Sequence, residues 1–188
     1  MGVFTSFQQR ILRAAFFFVV GCFAAGAMAE GSAIGARDYQ LGSGDKILIS
    51  VYGEDDLTLE TVLSDSGVVN YPFLGELKVV SLTVADLEQL IEKGLKGRFL
   101  INPNVHVSIL EYRPFFINGE VKKPGGYPFQ PGLTIDKAAA LAEGFTDRAS
   151  DDKIFIVRGD DASRTRVKAE LSTLLRPGDI VNVEQSFF

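Results

Sequence analysis

Tyr39-Gln40-Leu41-Gly42-Ser43-Gly44-Asp45, followed at once by Lys46-Ile47-Leu48-Ile49-Ser50-Val51-Tyr52, offers two readings. A glycine loop that cradles phosphate must lead into a helix, whose N-terminal N–H groups and dipole hold the anion. Here the residues after Asp45 are dominated by β-branched and aromatic types and include no Ala, Glu or Gln, so they predict a strand. The nucleotide-site reading fails on this context. What remains is a turn that launches a strand: glycine can take positive φ, and aspartate can accept backbone N–H bonds inside the turn. The same punctuation recurs at Gly178-Asp179 before Ile180-Val181-Asn182-Val183, a two-residue echo of a kind common in turns.

Working outward, Ile47, Ile49 and Val51 share one face of the first strand. Glu60 to Ser64 predicts a second strand, Asp65-Ser66-Gly67 a tight turn and Val68-Val69 a third strand, together resembling a hairpin. Pro72 and Gly75 punctuate the next segment, and Gly75 to Val80 predicts another strand. The period then changes. Val84, Leu87, Leu90, Ile91 and Leu95 form a stripe at helical spacing, with Thr83 and Asp86 as a capping box and Gly97 as the stop, which predicts a helix over 84–96. Asn102-Pro103-Asn104 makes a turn, and Val105 to Tyr112 alternates again. Beyond Pro114, Phe115-Phe116-Ile117 predicts a strand, and Lys123-Pro124-Gly125-Gly126 a turn before the extended Tyr127-Pro128-Phe129. A second helix is capped by Thr134, carries the narrow stripe Ile135, Ala138, Ala139 and Ala142, and ends at Gly144. Strands at Lys153 to Arg158, Thr165 to Ala169 and Ile180 to Val183 complete an α+β fold.

The chain opens with Arg10 and Arg13 and no acid, then runs apolar from Ala14 to Ala29. That layout is a secretory signal at residues 1–29, with Ala27-Met28-Ala29 as an A-x-A cleavage site before Glu30 and an apolar part too short for a membrane span. Val19-Val20-Gly21-Cys22 resembles a lipobox, which makes lipidation at Cys22 the competing reading, although the residues after it stay apolar. Cleavage after Ala29 leaves no cysteine, so an exported chain would rely on an ordinary hydrophobic core. The formal net charge of −5 becomes more negative once the two leader arginines are gone, and the charges are well mixed. An acidic exported chain is a poor partner for nucleic acid.

Tyr39-x-Leu41-Gly42-x-Gly44-Asp45 opening a strand, Ser64-x-x-Gly67 before Tyr71-Pro72-Phe73-Leu74-Gly75, the helix from Thr83, and Asn102-Pro103-x-Val105-x-Val107 together resemble the polysaccharide export domain of bacterial capsule and exopolysaccharide export proteins. Phe116-Ile117-Asn118-Gly119-Glu120-Val121-x-x-Pro124-Gly125-x-Tyr127, then Gly132-Leu133-Thr134 and a helix, resemble the soluble-ligand-binding β-grasp (SLBB) module that follows it in that family. The resemblance implies an export domain at residues 38–112 and a β-grasp module at 113–188. Three departures stand out. Ser81 replaces an expected glycine, Glu143 interrupts an Ala-Gly-Gly pattern, and the chain stops at Gln185-Ser186-Phe187-Phe188 without the C-terminal amphipathic helix of long members.

What the resemblance implies is a non-enzymatic part of an exopolysaccharide conduit, exported to the periplasm and associated with the outer membrane, with no cofactor. Its implied partners are the exopolysaccharide, copies of itself in a homo-oligomeric ring, an inner-membrane polysaccharide co-polymerase and a separate outer-membrane β-barrel. A monomeric periplasmic glycan- or small-ligand-binding module is the alternative.

Candidates for chemistry are few. His106 is the lone histidine, on an alternating strand beside Ser108 and Tyr112, and without a second histidine or a mature cysteine no zinc site or Cys-His pair can be assembled. No G-x-S-x-G elbow occurs. Glu54-Asp55-Asp56 lacks the spacing of a calcium loop and the geometry of a glycosidase pair, which leaves a solvated turn. No catalytic residue is assigned. Among the aromatics Phe115, Phe116, Tyr127 and Phe129, core packing accounts for Phe115 or Phe116. Tyr127, beside Lys122 and Lys123, is the candidate glycan or partner contact, because aromatic faces stack on sugars.

Overall fold

A computed structural model describes residues 39–186. The leader, its cleavage site and Cys22 lie outside the described residues. Sheets and two helices are interleaved along the chain, an α+β architecture: β1 (Lys46–Val51), β2 (Leu59–Val62), β3 (Val68–Tyr71), β4 (Gly75–Lys78), α1 (Val84–Leu95), β5 (Val105–Glu111), β6 (Phe115–Gly119), β7 (Gly125–Tyr127), α2 (Ile135–Leu141), β8 (Ala149–Val157), β9 (Arg166–Lys168) and β10 (Ile180–Gln185).

β1 sits between β2 and β5 in an antiparallel three-stranded sheet, and β3 pairs with β4 alone. This corrects the hairpin expected from Glu60 to Val69. β2 returns along β1, with the Leu63 N–H donating to the Asp45 carbonyl at 2.8 Å, and after the turn β3 takes β4 as its partner. The alternation in β3 states only that Val69 and Tyr71 face inward; either neighbouring strand satisfies it. α1 closes over the sheet with Leu87, Ile91 and Leu95 buried, while Leu90 of the expected stripe lies partly exposed at its margin. Its capping box is complete: Thr83 Oγ1 accepts from the Asp86 N–H at 3.1 Å, and the Asp86 carboxylate accepts from the Thr83 N–H at 3.1 Å. Tyr39, Leu41, Ile47, Ile49, Tyr71 and the α1 stripe share one core.

A second core lies under the mixed sheet β7-β6-β10-β8-β9, in which β10 runs parallel to β6 and antiparallel to β8. α2 packs on it through Ile135, Ala138, Ala139 and Ala142, whose small side chains let the helix approach closely. β8 starts four residues earlier than its apolar run, because Ala149 continues the ladder opposite Gln185 after a bulge.

The two Gly-Asp turns are built alike and meet. Asp45 and Asp179 are both fully buried. Each carboxylate accepts the N–H three residues back, Gly42 at 2.8 Å and Arg176 at 2.7 Å, and the preceding glycines sit at φ 92° and 84°. Asp45 also takes the Tyr39 hydroxyl at 2.7 Å, and Asp179 takes Arg158 Nη1 at 2.7 Å. Arg113 joins the turns: its N–H donates to Asp45 Oδ1 at 2.8 Å and its Nε donates to the Pro177 carbonyl at 3.1 Å. A Cβ on Gly42 would fall 1.3 Å from Arg113 Nη1, and one on Gly178 would fall 2.7 Å from Nε, so both glycines leave room for the guanidinium. Beside it, edge-on ring contacts run from Tyr39 to Tyr112 at 5.1 Å and from Tyr112 to Phe129 at 5.5 Å, linking one core to the other.

Candidate functional site

Lys122, Lys123 and Tyr127 come together on the β6–β7 connection. The loop is zipped to the end of α2, with Lys122 N–H donating to the Gly144 carbonyl and Lys123 N–H to the Ala142 carbonyl, each at 2.9 Å. The Tyr127 hydroxyl donates to the Lys123 carbonyl at 2.6 Å, and its ring stacks on the buried Phe115 at 6.0 Å. Lys123 pairs with Glu143 at 2.5 Å, so of the two lysines Lys122 is the one whose ammonium faces solvent with no carboxylate partner among the described residues. Phe116, on the opposite face of β6 from Phe115, is partly exposed. The arrangement offers one face of a tyrosine and a cation on a rigid loop, a geometry suited to a sugar or a partner surface.

His106 is exposed, as its place on β5 predicts, yet it is not alone. Its Nε2 lies 3.2 Å from Ser108 Oγ and its Nδ1 lies 3.3 Å from Glu88 Oε1. Hydroxyl, imidazole and carboxylate thus stand in the order of a charge-relay triad. The strand spacing made Ser108 visible as a neighbour, whereas Glu88 comes from α1 and carries no sequence signal. The Glu88 carboxylate also accepts the Val107 N–H at 2.9 Å, which ties α1 to the β5 edge. The histidine side chain is 73% exposed, in water that screens the pair, and the serine sits mid-strand rather than at a sharp turn beside converging N–H groups. Asp55 and Asp56 belong to a solvent-exposed single 3-10 turn. No group of three or more potential metal ligands occurs among the described residues. A shallow groove of about 450 Å³ runs along α1 past Leu82, Asp86, Leu90, Lys93 and Lys96, with charges of both signs.

Residues 35–110 match the family described as Polysaccharide biosynthesis/export protein, and residues 114–167 match the SLBB domain. The exopolysaccharide production protein ExoF of Rhizobium meliloti (strain 1021) is 31% identical over 67% of this chain and 34% of its own length. The EPS I polysaccharide export outer membrane protein EpsA of Ralstonia nicotianae (strain ATCC BAA-1114 / GMI1000) is 28% identical over 80% of this chain and 48% of its own. The polysialic acid transport protein KpsD of Escherichia coli is 28% identical over 57% of this chain and 19% of its own. The chain spans half or less of the length of these curated relatives.

Proposed function

From a chain that belongs to the polysaccharide export proteins, by an export domain with an SLBB domain directly after it, we propose a non-enzymatic role in moving exopolysaccharide or capsule polymer across the cell envelope. The observation that carries this reading is the order of the two domain matches, on a fold whose first core lies within the first match and whose second core begins in the second match and extends past it to Val183. Relatives named for polysaccharide export support the same cargo. The boundaries of the two modules fall at residues 38–112 and 113–188.

In this reading the chain acts as a building block. Copies associate head to tail into a closed ring in the periplasm, associated with the outer membrane, through which the polymer passes. Sheet edges such as β2, β7 and β9 are among the elements available for such contacts. No bond of the polymer is made or broken here, so the driving force comes from an inner-membrane co-polymerase, and passage through the outer membrane uses a separate β-barrel. Lys122, Lys123 and Tyr127 serve as glycan or partner contacts.

Two measurements test the proposal. Deleting the chain should abolish polymer secretion while leaving polymer synthesis intact, and the leader-free protein should have a native mass several times its monomer mass. Unchanged secretion in the deletion strain overturns the export role. A strict monomer at high protein concentration, with barrel and co-polymerase supplied, overturns the ring and favours a monomeric glycan-binding module. Release of new reducing ends from purified polymer would overturn the non-enzymatic assignment, and Ser108→Ala would then be the first variant to make.

A further inference from the structure

The hairpin between β3 and β4 holds an aromatic residue in a costly conformation at the surface. Phe73 has φ 62°, a region where a bulky side chain is a genuine outlier, and it is 66% exposed. Burial is the usual return for such strain, and here it is absent. The neighbouring residue explains how the conformation is held. Leu74 drops over Gly94 of α1, where an added Cβ would fall 2.8 Å from both of its δ-methyls. With Leu74 pinned inward, Phe73 is turned outward.

There it meets the loop after α1. The rings of Phe73 and Phe99 stack with centroids 5.0 Å apart and planes 26° from parallel, and the Arg98 guanidinium carbon lies 5.4 Å from the Phe99 centroid. Ile101 in the same loop is exposed, and the Tyr52 N–H donates to the Asn104 carbonyl at 2.9 Å, which brings exposed Tyr52 to that loop. Arg98 has no carboxylate partner among the described residues. The result is an aromatic stack, Phe73 against Phe99, with the Arg98 guanidinium over the Phe99 ring and the exposed side of Phe73 left open to solvent.

We propose that Phe73, Phe99 and Arg98 form a binding surface for an anionic glycan. The C–H face of a pyranose ring stacks on Phe73, and a uronate-type carboxylate carried along the polymer pairs with Arg98. Charge complementarity selects this occupant. On a chain of net charge −5, a guanidinium with no carboxylate partner beside a stacking face is a place where a polyanion gains contact without opposing charge. A second copy carries the same net negative charge and would bring no sugar C–H face to the rings. The proposal rests on the export reading only for the presence of polymer in the same compartment.

The test titrates the full chain with a short oligogalacturonate and with a neutral maltooligosaccharide of equal length, followed by calorimetry. The acidic oligomer should bind more tightly, and added salt should weaken it. Phe73→Gly should weaken binding by about tenfold, the scale of one lost stacking contact plus its buried area. Its melting temperature should hold or rise, because glycine relieves the strained φ. Arg98→Gln should remove the preference for the acidic oligomer and leave neutral binding unchanged. Equal affinities in Phe73→Gly and the parent overturn the proposal. So does a fall in native mass, or loss of vesicle co-sedimentation, in Phe73→Gly without any change in glycan affinity; these mark a self-contact and a membrane contact. Lost secretion on deletion with unaltered glycan affinity in Phe73→Gly would sink this surface alone, whereas glycan binding with normal secretion on deletion would sink the export role alone.

Discussion

Single residues carry the clearest departures from ordinary backbone chemistry. Ser81 and Glu143, where the resemblance leads one to expect glycine, both adopt positive φ, 69° and 65°. Glycine would suit both positions, since an L side chain in that region costs about 1–2 kcal/mol. Ser81→Gly should stabilise the chain by about 1 kcal/mol and raise the melting temperature by about 2–4 °C in a thermal scan. At Gly44, with φ 92° and Arg113 Cβ only 3.2 Å from where a side-chain carbon would stand, a valine should cost about 3 kcal/mol. Tyr39 gives a pH signature. Burial, then its hydrogen bond and charge contact with Asp45, push its hydroxyl well above the ordinary value of 10.0. The folded state holds that proton to higher pH than the unfolded state, so the associated stability is complete below pH 10 and is lost as pH rises beyond it. Tyr39→Phe should lower stability by about 2 kcal/mol at neutral pH and flatten the alkaline loss, measured by urea unfolding between neutral and alkaline pH.

At the scale of elements, α1 shows how a helix is specified by its ends and by what it must accept. Its complete capping box and its buried Leu87, Ile91 and Leu95 follow directly from spacing. Gly94 breaks the local preference, because glycine inside a helix costs about 1 kcal/mol relative to alanine. The cost makes room for Leu74. Gly94→Ala should therefore leave stability within about 1 kcal/mol, as the helix gain offsets the displaced leucine, while the Phe73–Phe99 stack loosens. Loss of the ring-current shifts of those two side chains in NMR spectra would check it. The hairpin expected between residues 60 and 69 was not legible, because alternation states which face is buried and is silent on which strand lies alongside. Likewise the Glu88–His106 pair depends on α1 crossing β5, a contact no local pattern encodes.

For the molecule as a unit, Arg113 is the residue on which the geometry turns. It bonds to the buried Asp45 turn through its backbone and to the Pro177 carbonyl through its side chain, so each core is referenced to the other. Arg113→Ala should separate the unfolding of the two cores, turning one calorimetric transition into two. Gly42→Ala should reproduce that behaviour, because its methyl would occupy the position of the guanidinium. A single unshifted transition in both variants would show that the ring contacts through Tyr112 suffice.

Local composition by itself determined the strand after Asp45, both helices with their caps, the buried faces, and the α+β class, because these depend on periodicity and on turn chemistry within a few residues. The Gly-Asp echo was visible as letters. Only the tertiary structure decided that its two copies bury their carboxylates alike and meet across Arg113, that β3 pairs with β4, and that Phe73 faces solvent beside Phe99 and Arg98. Those outcomes depend on groups distant in sequence competing for the same space, and a packing contest of that kind has no period to read.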